Sequence, residues 1–171
     1  MEKDTIDFNR PQPNTITSII QELRGLGVSE GMTLLLHSSL SSLGWVCGGA
    51  VAVILALEQV LGEEGTLVMP AFTADLSEPS EWCNPPVPES WWQIIRDQMP
   101  PFDPALTPAR CVGIIPDTFR KQSGVLRSSH PSNSFAAWGK HKKYITENHD
   151  LNFSEGPQSP LGRIYQLDGY V

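Results

Sequence analysis

Basic residues are scarce in this sequence. Twelve Lys and Arg stand against 19 Asp and Glu in 171 residues, giving a net charge of −7 and a pI near 5.0. No basic face is available for phosphate neutralisation, which excludes nucleic acid as the main partner. Long apolar runs are also missing, so no segment reaches membrane-spanning length and no membrane partner is expected. The N-terminus, MEKDTIDFNRPQPN, lacks the apolar core of a secretory signal. A cytoplasmic location is therefore expected. Cysteine is sparse: Cys47, Cys83 and Cys111 are widely separated, with no C-x-x-C pair. That spacing indicates neither a zinc site nor a disulfide framework, and no metal is expected. What the acidity permits is a cationic small molecule, which an acidic cleft would concentrate.

The chain is organised around residues 33–61, TLLLHSSLSSLGWVCGGAVAVILALEQVL. Residues 33–36 form a short apolar run behind Gly31, with the length and flanks of a strand buried on both faces. The polar loop His37, Ser38, Ser39 follows, then Gly48 and Gly49, then a helical pattern over residues 50–61. The loop leaving the carboxyl end of a strand is where α/β proteins bind ligands. Unpaired amides at the next helix start favour an anion, and glycine lets it approach the main chain. GWVCGGA fits neither the dinucleotide nor the P-loop fingerprint. Two readings stay open, a tight turn before a core helix and a site for a phosphate-bearing ligand.

Residues 1–14 read as a flexible leader, since Pro11 and Pro13 block regular structure. Residues 15–171 read as one α/β domain. Thr15 or Thr17 can cap a helix running to Leu26. Residues 66–70 form a second apolar strand, and strand–helix–strand implies a parallel pair. Residues 71–108 are a proline- and tryptophan-rich excursion with one helix near 89–99. Trp82, Trp91 and Trp92 are expected to pack it down or to line a pocket. Asp75, Glu78 and Glu81 are either a solvated loop or a cation-binding lip. A helix is expected from Ile114 or Pro116 to Lys121, and short strands at 125–128 and 135–138. Residues 140–148 read as an exposed helix, with His141 and His149 on the surface. Ser159 and Pro160 open a last helix, and Tyr170 starts a strand.

Several blocks together resemble the aminoglycoside 3-N-acetyltransferases: HSSLSSLGWVCGGA, MPAFT, EPSEWCNPPVPESWW, MPPFDPALTPAR, RSSHPSNSFAAWG and SPLGRIYQLDGYV. The resemblance implies a three-layer α/β/α sandwich, incomplete at the C-terminus. It also implies acetyl transfer from acetyl-CoA to the 3-amino group of the 2-deoxystreptamine ring, conferring antibiotic resistance. Ser38, Ser39 and Leu40 would then contact the pantetheine and thioester. Gly48, Gly49 and Ala50 would open the helix facing the CoA phosphates, and Arg127, Ser128 and Ser129 would add contacts to phosphate. Asp75, Glu78 and Glu81 would meet the ammonium groups of the aminoglycoside.

The departures from the family pattern are specific. After TPAR the family usually shows Met-Gly and a Glu in an I-P-E-x-F pattern, where this chain has Cys111, Gly113 and Asp117. Family members continue with a G-H-D-x-N-T-x-x-H-x-A-E segment that carries the catalytic His and its carboxylate partner, and this segment is absent here. A base is needed because an ammonium cannot attack a thioester. No catalytic residue is assigned within the chain; His37 is a weak substitute. The alternative function is a CoA-binding or drug-binding remnant without catalysis.

Overall fold

The computed structural model describes residues 6, 7, 11–73 and 75–171. Residues 1–5 and 8–10 of the expected leader lie outside them. Asn14, at its end, is tied down. Its amide donates to the Trp45 carbonyl at 3.2 Å, and its own carbonyl accepts from Cys47 N at 2.8 Å.

Helix α1, Ile16–Gly25, starts in a capping box. Thr15 Oγ1 accepts from Ser18 N–H at 3.2 Å, and Ser18 Oγ accepts from Thr15 N–H at 2.9 Å. Two of the amides a helix start leaves unpaired are thereby satisfied. Strand β1, Thr33–Leu35, leads through the 3-10 turn Leu40–Leu43 to helix α2, Gly49–Leu61. Gly48 precedes α2 in the left-handed region (φ 88°). A β-carbon there would stand 3.2 Å from Ala52 Cβ, so conformation and space both call for glycine. Strand β2, Thr66–Pro70, follows the turn at residues 62–65. Helix α3, Glu89–Gln98, lies in the excursion. Helix α4, Ile114–Phe119, strands β3, Leu126–Arg127, and β4, Phe135–Gly139, and helices α5, Lys142–Thr146, and α6, Pro160–Gln166, complete the chain.

The sheet order is β1-β2-β4-β3. β1 and β2 are parallel, in the βαβ arrangement expected, and β4 is antiparallel to both β2 and β3. Tyr170 adds a parallel bridge to Leu34 on the outer side of β1. Side chains alternate along each strand. Leu34, Leu67, Met69 and Ala136 pack with α1, α2 and α4, while Leu35, Val68, Phe135 and Ala137 pack with Ile145 of α5 and Ile164 of α6. Helices thus cover both faces, and the fold is a three-layer α/β/α sandwich.

Two expectations need correction. The helix read over 140–148 is only the five residues of α5, and His149 beyond it is 4% exposed, not a surface residue. The excursion is held down only in part. Trp82 and Trp92 are half-buried, with Trp82 Nε1 donating to Ser77 Oγ at 2.8 Å, but Trp91 is exposed and α3 has no buried residue.

Candidate functional site

Sequence dictates a polar loop at the carboxyl end of β1, and the fold sets a second loop against it. Gly113, with φ 87°, opens α4 beside this loop, and a β-carbon on it would stand 3.6 Å from the Ser38 carbonyl. Between the two lies a cleft of about 650 Å³ lined by residues 38–41, 44–46, 49 and 111–114. Ser38 Oγ is buried without a hydrogen-bond partner. A buried hydroxyl without a protein partner is completed by a water or by a bound ligand. Ser39 Oγ and Ser41 Oγ lie 3.0 Å apart, and Leu40 packs on the core.

Of the three helix-start residues, only Gly49 lines the cleft. Its amide is spent on the Val46 carbonyl at 3.0 Å, and the Ala50 side chain is in the core. The first-turn amides of α2 beyond Gly49 are what this helix start can offer an anion. A second cleft of about 420 Å³ lies on the other side of the loop, shares Ser38 and Ser39, and includes His37.

The acidic residues are not alike. Asp75 is paired with Arg110 (Oδ2–Nε 2.7 Å). Glu78 is paired with Arg96, whose hydrogen bonds hold the Glu78 carboxyl down at about 2. Glu81 has no ion pair among the described residues. With Asp75, Ser77 and Trp82 it lines a cleft of about 560 Å³.

Arg127 and Ser128 are engaged elsewhere than expected. The Arg127 guanidinium donates to the carbonyls of Ala71 (2.7 Å), Thr107 (2.5 Å) and Pro104 (3.3 Å), and to Ser134 Oγ (2.9 Å). Burial, with Arg120 adding to it, pushes its pKa down to about 10. Ser128 is fully buried, bonded to Phe135 N and His149 Nδ1. Both are bound within the protein, so the geometry does not present them to a phosphate. Ser129 is exposed beside them. Asp117 accepts from Arg120 Nε at 2.8 Å and from Lys121 Nζ at 2.6 Å. No cluster of three or more His, Cys, Asp or Glu suited to a metal ion occurs among the described residues.

The model of the aminoglycoside 3-N-acetyltransferase family matches residues 35–171. The SPbeta prophage-derived aminoglycoside N(3')-acetyltransferase-like protein YokD of Bacillus subtilis is 55% identical over 160 residues, which cover 93% of this chain and 59% of that protein. Aminoglycoside N(3)-acetyltransferase VII of Streptomyces paromomycinus is 36% identical over 93% of this chain and 54% of its own length. The chain belongs to the aminoglycoside 3-N-acetyltransferase family.

Solved structures of the family agree with the fold. The YokD crystal structure superposes with a TM-score of 0.87 at 56% identity, covering 90% of this chain and 61% of that one. AAC-IIIb, solved as a binary complex with CoASH, gives 0.81 at 31% identity, covering 92% and 58%. A His-to-Ala mutant of aminoglycoside acetyltransferase AAC(3)-IVa, in complex with apramycin, gives 0.74 at 32% identity, covering 94% and 56%. The chain spans between half and two thirds of the length of these relatives. No described helix is long and apolar enough to cross a membrane.

The far wall of the cleft beside the serine loop, residues 111–114, was not singled out as a site by the sequence. A signal was there: Gly113 lies three residues past Arg110 of the TPAR block, and its positive φ beside the serine loop requires glycine.

Proposed function

We propose that this chain carries the acetyl-CoA-binding part of an aminoglycoside 3-N-acetyltransferase, and that the protein transfers acetyl to the 3-amino group of the 2-deoxystreptamine ring and so confers antibiotic resistance. The observation that carries the reading is the buried, unpartnered Ser38 hydroxyl in the cleft between the serine loop and Gly113, in a family with a member solved with CoASH. Ser38 would hydrogen-bond the pantetheine or thioester, and the loop amides after it would face the oxyanion that forms as nitrogen attacks. With Arg127 and Ser128 occupied, the CoA phosphates fall to the first-turn amides of α2 and to Ser129. The cationic aminoglycoside would meet Glu81 first, since Asp75 and Glu78 already hold arginines.

Binding without transfer is a second reading for these 171 residues. None of the four histidines lines the cleft between the serine loop and Gly113. Calorimetry with CoA, followed by a thiol-release assay with acetyl-CoA and gentamicin, tobramycin and neomycin, separates the readings. Saturable CoA binding with drug-dependent thiol release supports transfer. Binding without release supports the second reading, and no binding at all overturns both.

A further inference from the structure

Cys47, Cys83 and Cys111 are all exposed and free. Of the three, Cys111 lines the cleft between the serine loop and Gly113. Cys83 lines the acidic cleft with Glu81, and its Sγ donates to the Glu81 carbonyl at 3.3 Å. Cys47 lines neither cleft. The backbone fixes where Cys111 stands. The Arg110 amide donates to the Phe72 carbonyl at 2.7 Å, and the Arg110 side chain is paired with Asp75. Cys111 itself has φ 60°, in the left-handed region that a β-carbon disfavours.

Across the cleft stands Ser38, whose Oγ is buried without a protein partner, leaving one polar atom of this cleft for a bound ligand to engage. The two walls are close. A β-carbon on Gly113 would stand 3.6 Å from the Ser38 carbonyl. Two residues of chain span at most about 7 Å, so Cys111 lies within that reach of Gly113 and the serine loop. Pantetheine ends in a sulfur, and CoA held with its pantetheine at Ser38 brings that sulfur to the wall that carries the Cys111 thiol.

Resting on the reading of this cleft as the CoA site, we propose that Cys111 is a thiolation site for CoA, modified by CoA disulfide bound in the cleft. The Cys111 thiolate attacks the sulfur of the bound CoA moiety. A bond forms between Cys111 Sγ and that sulfur, and the S–S bond of the CoA disulfide breaks. The second CoA leaves as a thiolate and takes up the proton that Cys111 lost. One disulfide replaces another, so no further oxidant is needed. The adduct fills the cleft with a CoA whose sulfur is engaged and cannot carry acetyl, and a thiol reductant reverses the block. The family pattern usually has Met after TPAR, where this chain has Cys111, and a thioether cannot form this bond.

Calorimetry with reduced CoA comes first. Saturable binding upholds the CoA reading; its absence removes that reading and with it the ligand proposed for Cys111. The 171-residue chain is then incubated with CoA disulfide, and peptide mass spectrometry reads the adducts at the three cysteines. Cys111 should be modified at least about tenfold faster than Cys47 or Cys83, because binding holds the reacting sulfurs together. Oxidised glutathione, which lacks the nucleotide, should show no such preference. Desulfo-CoA, which fills the cleft without a sulfur, should slow modification of Cys111 and leave that of Cys83 unchanged. The modified chain should no longer bind added CoA, and dithiothreitol should restore binding. Cys111→Ser should lose the adduct and the block together. Saturable CoA binding with adducts spread evenly over the three cysteines overturns the thiolation site and leaves the CoA reading standing. So does an equal preference of oxidised glutathione for Cys111, or a failure of desulfo-CoA to protect it.

Discussion

Arg127 Nη2 donates to the Ala71 carbonyl across 2.7 Å, joining β3 to the first residue after β2. The same side chain reaches Thr107 and Pro104 near the far end of the excursion and lies over the Phe102 ring, 4.9 Å from its centroid. One guanidinium therefore holds both ends of a segment nearly forty residues long. Arg127→Lys keeps the charge and loses the planar fork. It should cost about 1–3 kcal/mol of stability, because buried carbonyls lose their donor, and should leave CoA affinity unchanged. Urea denaturation and calorimetry read the two effects. Unchanged stability with lost CoA affinity would return Arg127 to the phosphate site.

Gly49 has φ 57° and nothing within 4 Å of where a β-carbon would stand. Asp and Asn both tolerate that backbone region better than other side chains. Gly49→Asp should fold and lower CoA affinity about tenfold, with recovery as salt screens the new charge. Gly49→Asn, the neutral counterpart, should bind nearly as the wild type does. Equal losses in the two variants would show that backbone strain, not charge at the helix start, is responsible.

Glu58, near the end of α2, accepts from Gln122 Nε2 at 2.6 Å. Burial raises its carboxyl above the ordinary 4.5, and the Gln122 hydrogen bond only partly opposes this. A group raised in the fold stabilises it below 4.5 and loses that contribution as pH rises through the folded value. Glu58→Gln should therefore be the more stable protein at neutral pH, by a few tenths of a kcal/mol after allowance for solvent screening. The gain should vanish in acid. Urea melts on both sides of the transition check it, and a loss of stability at neutral pH would contradict it.

Glu81→Gln should weaken aminoglycoside binding by about two- to fivefold, the range for one exposed charge pair. Glu78→Gln should change drug binding less and loosen α3, because it releases Arg96. Calorimetric titration of each variant with tobramycin gives the comparison. A larger effect from Glu78 than from Glu81 would mean that the drug displaces Arg96.

Local signals made much of this fold readable. Thr15, the Gly48-Gly49 pair and Ser159 with Pro160 are chain-local devices, and the helices they open lie within a residue or two of expectation. The parallel β1–β2 pair followed from one helix between two apolar runs. What stayed hidden depends on distant partners. Asp75 and Glu78 read as unpaired, in a solvated loop or a cation-binding lip, because their arginines, Arg110 and Arg96, lie 35 and 18 residues further on. His149 read as a surface residue because it ends a polar stretch, while its partner Ser128 is 21 residues away, just after β3. Arg127 and Ser128 sit in a block of the family pattern, but the block does not say whether a polar side chain faces a ligand or its own backbone. The serine loop was legible as a candidate because its position after a buried strand is itself the signal.

The most direct measurement is a crystal structure of this chain grown with CoA. The account predicts pantetheine density in the cleft between residues 38–41 and Gly113, with a polar atom in hydrogen-bond reach of Ser38 Oγ and the phosphates at the start of α2. An empty cleft at saturating CoA, or CoA bound elsewhere with Ser38 Oγ still unpartnered, would contradict it.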